Sequence, residues 1–578
     1  MRVLLVYPKF PLTFWSFDKV LELVNRKALL PPLGLLTVAA LLPQDWEIRI
    51  VDRNAQEVTD EDWAWADMVM LSAMLVQKPD FVHVIRQAKK RGKPVVVGGP
   101  FATSVPEVAI AAGADYLVLD EGELTIPQFL ECIAGRPHLQ RTEFEDPIVF
   151  RSHAKPDMTV SPIPRFDLVD FDLYDTMPIQ YSRGCPFQCE FCDIITLYGR
   201  KPRTKSPDQI LAELDRIYEL GWRRSVFLVD DNFIGNKRNV KELLRALEQW
   251  QIERGFPFTF DTEASIDLAA DPELLQMMTR CRFNAVFVGI ETPDKETLRI
   301  TKKYQNTRSP LDDAVETIRQ TGMRVMAGFV IGFDGETAGA GERILNFIER
   351  TNIPTILFSV LQALPNTELW TRLAREGRLR GESHGMSGTA LFNFVPSRPP
   401  REIAREYVDT LWQMYDPGRY LDRVFRFFRT LPASRVERRL SSSLAPGWLG
   451  LYRAGRDLLI NLRALGLVCW RQGFLRSTRT RFWKYLLQML SHNPRVVEHY
   501  LTACAHNEHF LVYREIVRDE IERELAAPDY DDRVAPAFRS LPVITPPVSA
   551  ADSCAMPESS FASSVTGERE ASTAKVVA

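Results

Sequence analysis

The sequence predicts an α/β protein built from two successive parallel β/α arrays and a helical final third. Three observations predict it. Short apolar runs alternate with helix-period segments between residues 2 and 362. The alternation breaks once, in the stretch 141–176, which carries Pro147, Pro156, Pro162 and Pro164 and reads as a linker. From about Arg401 the strand signal ends and amphipathic helix patterns take over. A chain of 578 residues is too long for one core. Its 45 % hydrophobic and 25 % charged fractions are those of a soluble globular protein, and a net charge of −3 gives no reason to expect nucleic acid. Eight cysteines are too sparse for a disulfide scaffold and suit a reducing compartment. The segment Met1–Val6 reads as a strand without a signal-peptide pattern, and the apolar stretch 28–42 is broken by Pro31–Pro32. A cytoplasmic protein is therefore expected.

Residues 1–140 give strands at 2–7, 47–52, 68–73, 94–97 and 116–119, with helices at 33–42 and 81–91 among them. This is a Rossmann-like, doubly wound sheet, and ligands of such sheets sit at the carboxyl ends of the strands. That rule gathers Pro8, Ser72, Gly98, Gly99, Glu121 and Gly122 around one crevice. No Gly-x-Gly-x-x-Gly follows the first strand, so a dinucleotide is not expected. The loop Phe10–Phe17 holds four aromatics at the binding edge. It either lines an apolar cavity or folds onto a neighbouring domain.

Residues 177–395 repeat the alternation as six β/α units, a partial (β/α)6 barrel with ligand-facing residues at the C-terminal strand ends. Just after the first of these strands comes Cys185-Pro186-Phe187-Gln188-Cys189-Glu190-Phe191-Cys192. Three thiolates on one short loop can hold three irons of a [4Fe–4S] cubane and leave the fourth open. Zinc would want a fourth Cys or His close by, and the nearest His is His153. The later strand ends carry Asp230-Asp231-Asn232, Glu263-Ala264-Ser265, Gly289-Ile290-Glu291, Gly328 to Gly332, and Leu364-Pro365-Asn366-Thr367.

Residues 396–525 read as helices, at 404–414, 420–429, 449–463 and 481–490. Eight basic residues (Arg453, Arg456, Arg463, Arg471, Arg476, Arg479, Arg481 and Lys484) interleave there with Trp470, Phe474, Phe482 and Trp483, and only Asp457 opposes them. Such a stretch either rests on an anionic membrane or forms the solvated face of a helical cap. Residues 526–578, rich in Ala, Ser, Pro and Glu, are expected to be disordered.

The cysteine loop resembles the cluster loop of the radical S-adenosylmethionine (SAM) superfamily, in which the open iron takes the amino and carboxylate groups of SAM. The resemblance implies SAM contacts from Asp230 or Asp231 toward the amino group and from Glu263 and Ser265 toward the carboxylate and ribose. It also implies Glu291 as a ribose or amine partner, Gly328 and Gly332 close to the adenine, and Phe191 packed near it. Arg183 is a candidate partner for a SAM or substrate charge, and Phe187 and Tyr198 are expected to shield the cluster. Ahead of this loop, Pro31-Pro32-Leu33-Gly34-Leu35, Gly98-Gly99-Pro100 and Glu121-Gly122-Glu123 resemble a cobalamin-binding domain. The Asp-x-His-x-x-Gly motif is missing, Asp80 and His83 having the wrong spacing, so no histidine under the cobalt is expected.

Together these parts resemble the cobalamin-dependent radical SAM methyltransferases. Segments such as Leu197-Tyr198-Gly199-Arg200, Val229 to Asn236 and Val288 to Pro293 are most like the hopanoid-methylating members. The resemblance implies two uses of SAM, one to methylate cobalamin and one to abstract hydrogen from an unreactive carbon, which then takes the methyl group. It further implies an apolar polycyclic substrate and an external electron donor of flavodoxin or ferredoxin type; from its charge no nucleic acid is expected, and the basic stretch leaves peripheral contact with the inner face of the membrane as one of its two readings. A tetrapyrrole methylase, a cyclase without methyl transfer and a cobalamin or redox sensor are the alternatives.

Overall fold

A computed structural model describes residues 1–134, 146–381, 390–432, 448–528 and 530–535, with the backbone alone for 448–458. Strand β1 (Arg2–Tyr7) carries four consecutive buried residues, Val3 to Val6, as a strand covered on both faces requires. With β2 (Glu47–Asp52), β3 (Met68–Ser72), β4 (Val95–Gly98), β5 (Tyr116–Val118) and β6 (Ile148–Phe150) it forms a parallel sheet in the order β2-β1-β3-β4-β5-β6. Strand order reverses between β1 and β3, which puts the crevice of a doubly wound sheet beside Tyr7–Pro8 and Ser72. Helices α1 (Leu33–Leu41), α2 (Lys78–Lys90) and α3 (Gly122–Ala134) cover this sheet. The expectation of a plain linker at 141–176 is corrected here. Residues 148–150 are the sixth strand of the first sheet, and Met158, Phe166 and Tyr174 beyond it are buried. Three residues between a proline and a charged run give no readable periodicity.

The second sheet holds β7 (Met177–Ile179), β10 (Ser225–Leu228), β11 (Thr259–Glu263), β12 (Phe283–Glu291), β13 (Arg324–Ile331) and β14 (Thr355–Val360), all parallel and in sequence order. The antiparallel pair β8 (Ser182–Arg183) and β9 (Arg203–Thr204) brackets the cysteine loop. Helices α4 (Pro207–Glu219), α5 (Lys237–Glu253), α6 (Pro272–Arg280), α7 (Leu311–Arg319) and α8 (Ala340–Thr351) link successive strands. Each buries one stripe; in α4 this is Ile210, Leu214 and Ile217. Ser206 caps α4 in a capping box with Gln209, and Asn236 and Asp271 cap α5 and α6. The six β/α units are those the sequence predicts.

After α9 (Glu368–Arg375) come α10 (Pro400–Met414), α11 (Pro417–Thr430), α12 (Trp448–Trp470), α13 (Arg479–His492) and α14 (Val497–Leu525). A π-turn at Arg471–Leu475 separates α12 from α13. Helix α14 escapes sequence reading because its middle is enclosed rather than amphipathic: Cys504, Asn507, Glu508, His509, Phe510 and Tyr513 are all buried. It receives the aromatic loop after β1. Phe14 stacks on Phe510 at 5.1 Å, Phe17 stacks on His506 at 4.9 Å, and His509 Nε2 lies 3.0 Å from the Phe14 carbonyl. Of the two readings of Phe10–Phe17, Phe14 and Phe17 therefore fold onto the neighbouring helices, while Trp15 meets Phe287 of β12 edge-on at 5.4 Å. Beyond residue 535 the expected disordered tail lies outside the described residues.

Candidate functional site

The cysteine loop is held by backbone as much as by side chains. Gly184 has φ +94°, and a Cβ there would stand 2.8 Å from the Gly199 carbonyl and 2.9 Å from that of Lys201, so only glycine lets the two sides of the loop close. The Cys185 amide donates to the Gly199 carbonyl at 3.2 Å. The Glu190 amide donates to Thr301, and the Glu190 carbonyl accepts from Leu369 at the start of α9. The Glu190 carboxylate is gripped by Arg372, which also reaches Asp334 at 2.7 Å. Two amides point donors at the sulfurs: Asn232 Nδ2 lies 3.8 Å from Cys185 Sγ, and Gln305 Nε2 lies 3.6 Å from Cys189 Sγ. Burial pushes the Cys185 and Cys192 thiols up, and nearby acidic groups add to the rise. Thiols in this setting are poor bare anions and suit a cationic inorganic core. Among the described residues no group of three or more His, Cys, Asp or Glu is disposed to hold a single metal ion. The donor set fits a cluster better than a lone zinc.

The strand ends around the loop divide into groups already engaged and groups left open. Asp230 is fully buried at the end of β10, and both its oxygens accept from the backbone, of Tyr181 and of Ser182. It ties β7 to β10 and is not free for the SAM amino group. Ser265 donates from its amide and its hydroxyl to Asn232 Oδ1, at 3.1 and 3.2 Å, and its hydroxyl also meets Asp267. It orients the amide that faces Cys185 instead of standing ready for a ligand. Glu291, at φ +64°, is ion-paired with Lys303, whose ammonium lies 5.7 Å from the centre of the Phe191 ring. The space beside Gly332 is filled by the Phe392 ring, and Phe287 lies 3.0 Å from where a Gly328 Cβ would be, so both glycines admit protein rings. Phe191 packs against Phe333 at 5.5 Å.

Asp231 and Glu263 differ from all of these. Neither carboxylate has an ion-pair partner among the described residues, and Asp231 meets only its own backbone amide. Burial, then repulsion from Asp230, raises the Asp231 carboxyl to about 7; burial, then Asp231, raises Glu263 to about 8. Two neighbouring buried acids, neither of them ion-paired among the described residues, are a fitting receptor for a cation.

At the first sheet, Pro8 is buried and its carbonyl accepts from Gln77 and Asn54. A Cβ on Gly98 would stand 2.6 Å from the Val118 carbonyl, and one on Gly99, at φ +80°, would stand 2.1 Å from Ser72 Oγ. These glycines let β4 close against β5 and β3. Gly122 starts α3, and a Cβ there would stand in ordinary contact with Val38 and Leu41 of α1. Glu121, expected in the crevice, is instead bridged by Arg203 at 2.8 Å and by Arg183 at 2.8 Å, while Glu123 takes the other nitrogen of Arg183 at 2.9 Å. Burial alone would raise the Glu123 carboxyl, but Arg183 holds it below the usual range. Arg183 is thus spent on this junction and is not free for a SAM or substrate charge. The edge keeps Met74 exposed and Ser72 and Phe10 half-buried, and His83 is exposed on α2.

Asn232, Lys303, Gln305 and Arg203 are the residues that motif reasoning missed. The only signal was the polar run Lys302 to Asn306 beyond β12 and the short helix Lys295–Ile300, which resembles an ordinary turn.

Comparison with known proteins matches residues 21–130 to the B12 binding domain, 179–348 to the radical SAM superfamily and 367–523 to a domain of unknown function (DUF4070). An uncharacterized methyltransferase of Synechocystis sp. is 58 % identical over 91 % of this chain and 94 % of its own. The hopanoid C-2 methylase of Rhodopseudomonas palustris is 36 % identical over 89 % of this chain and 93 % of its own. The chain belongs to the cobalamin-dependent radical SAM methyltransferases. In fold, this methyltransferase resembles the cobalamin-dependent SAM radical enzyme OxsB with aqua-cobalamin bound, at a TM-score of 0.54 and 14 % identity, over 91 % of this chain and 80 % of the other. It is a radical SAM C-methyltransferase whose cofactors are a [4Fe–4S] cluster, SAM and cobalamin.

Proposed function

We propose that this methyltransferase places a methyl group on an unactivated carbon of a large apolar polycycle of the terpenoid class, hopanoid-like in shape. What supports the reading is the likeness to hopanoid C-2 methylase, which runs through both arrays and the helical third. When bound, the three cofactors supply the electron, the hydrogen abstraction and the methyl transfer. The chain's own residues do the rest. Cys185, Cys189 and Cys192 hold the cluster, with Asn232 and Gln305 donating to two of the sulfurs. Asp231 and Glu263 receive the cationic end of SAM, and Phe191 packs beside its adenine. The C-terminal edge of the first sheet, at Ser72, Met74 and Gly99, carries cobalamin without an axial histidine.

Arg183 and Arg203, clasped by Glu121 and Glu123, fix that edge to the cluster loop, so the two cofactors face one dry space. An acidic flavodoxin- or ferredoxin-type donor meets the cluster at the cleft of about 390 Å3 lined by Lys155, Tyr198, Gly199, Arg200 and Lys201. Gly199 there is hydrogen-bonded to Cys185.

Deleting the gene from its producer should remove one lipid and leave a precursor about 14 mass units lighter, the mass of one CH2. An unchanged lipid extract, with a methyl missing from a chlorin or peptide instead, would overturn the substrate and leave the cofactors standing.

A further inference from the structure

We infer that the turn between α12 and α13 is a membrane-docking tip that inserts into an anionic lipid bilayer; this rests on the lipid-substrate reading above. Large apolar side chains stand exposed there: Trp470 at 54 %, Phe474 at 55 %, Leu475 at 64 % and Leu487 at 64 %, and Leu459, Leu462 and Leu490 are exposed farther along α12 and α13. Scattered single leucines are ordinary on a protein surface, but a contiguous cluster of this kind marks a contact surface. The rings form one surface. Trp470 lies 5.5 Å from Phe474, Phe474 lies 5.9 Å from the half-buried Trp483, and Leu487 follows Trp483 by one helical turn.

Charge selects the occupant. Arg463, Arg479 and Lys484 are exposed around these rings, and none makes an ion pair among the described residues. Two further arginines of the stretch are spent internally, Arg476 on Glu508 and Arg481 on Asp422. Aromatic and leucine side chains ringed by unpaired cations match the interface of a negatively charged bilayer, where the rings enter the headgroup boundary and the cations meet phosphate.

The tip is built to hold its shape outside the core. Its backbone is the π-turn Arg471–Leu475, stitched to α14 by Gln472, which donates to Glu508 at 2.6 Å, and by Arg476 on the same carboxylate. The Trp483 indole donates to the Gly473 carbonyl at 2.9 Å, and a Cβ on Gly473 would stand 2.8 Å from that indole. The next residue of α14 after Glu508 is His509, which contacts the Phe14 carbonyl. A single helix therefore carries both the tip and the seat of the aromatic loop.

The test is flotation of the full-length holoprotein with extruded vesicles, either phosphatidylcholine alone or phosphatidylcholine with phosphatidylglycerol. Wild type should float with the anionic vesicles, at least tenfold less with the neutral ones, and less as salt rises. The triple variant Trp470→Ser, Phe474→Ser, Leu475→Ser should lose flotation tenfold or more while keeping its cluster and cobalamin absorbance. Arg479→Glu with Lys484→Glu should lose the preference for anionic lipid. The proposal is overturned if wild type fails to float, if the triple variant floats equally well, or if wild type is a concentration-dependent dimer that the triple variant converts to a monomer. Methylation of a terpenoid presented in detergent micelles separates the two readings. Activity in micelles without flotation defeats the tip and keeps the substrate; flotation with methylation of a polar substrate alone defeats the substrate.

Discussion

Asp231 and Glu263 make the most specific demand of any two side chains. Their raised carboxyls give the folded apoprotein a proton uptake that the unfolded chain lacks. The stability tied to that uptake is full below about pH 4 and is lost as pH rises through about 7 and about 8. Apoprotein should therefore melt lower at pH 8.5 than at pH 6, and SAM should restore more of the loss at the higher pH. Asp231→Asn with Glu263→Gln should flatten this difference in a calorimetric pH series and weaken SAM binding by tenfold or more, about 1.4 kcal/mol. Binding unchanged by the double variant would remove the pair from the SAM site. Cys185→Ala should abolish the cluster absorbance and its iron, whereas Asn232→Ala should retain iron and shift the cluster's reduction potential, because it removes a donor at 3.8 Å from sulfur and not a ligand.

At the scale of elements, the buried clasp of Glu121, Glu123, Arg183 and Arg203 joins the end of one sheet to the start of the other site. Removing one partner leaves a buried charge, and such losses run to about 3–5 kcal/mol. Arg183→Met should lower the melting temperature and weaken cobalamin retention on gel filtration while the three cysteines still bind iron. Gly99→Ala should cost cobalamin as well, since its methyl would fall 2.1 Å from Ser72 Oγ and β3 would have to move from β4. Helix α14 adds a response of opposite sign to the acids. Burial, followed by the charge of Arg324, lowers His499 and His506 to about 3, so they stay neutral in the fold. The stability they contribute is lost as pH falls from about 6.5 toward about 3, and proteolysis between pH 6 and 4 should open α14 before the sheets.

Elements with a clean period were legible: the strands at 2–7, 324–331 and 355–360 and the amphipathic helices between them were readable from sequence to within a few residues. Strand β6 was too short to show a period, and the middle of α14, residues 503–513, is enclosed, so neither presents the one-faced pattern that reading depends on. Among site residues the cysteines announced themselves by spacing. Asp230, Ser265, Glu121 and Arg183 did not reveal that their charges and hydroxyls would be spent inside the protein, because spacing gives no partner.

For the whole molecule, the test of the cobalamin edge is electron paramagnetic resonance of bound cob(II)alamin. With His83 exposed on α2, no strong nitrogen splitting from an axial ligand is expected; a triplet splitting lost in His83→Ala would contradict it. Among the described residues no helix is long and apolar enough to cross a membrane.

The contact between Phe14 and His509 spans 495 residues of chain. At translation rates of about 5–20 residues per second, roughly half a minute to well over a minute separates the two partners at the ribosome. During that interval both sheets can complete while Phe14 and Phe17 lack the Phe510 and His506 rings they stack on. The nascent enzyme thus has a window in which its cofactor edges stand ajar, and the arrival of helix α14 shuts it.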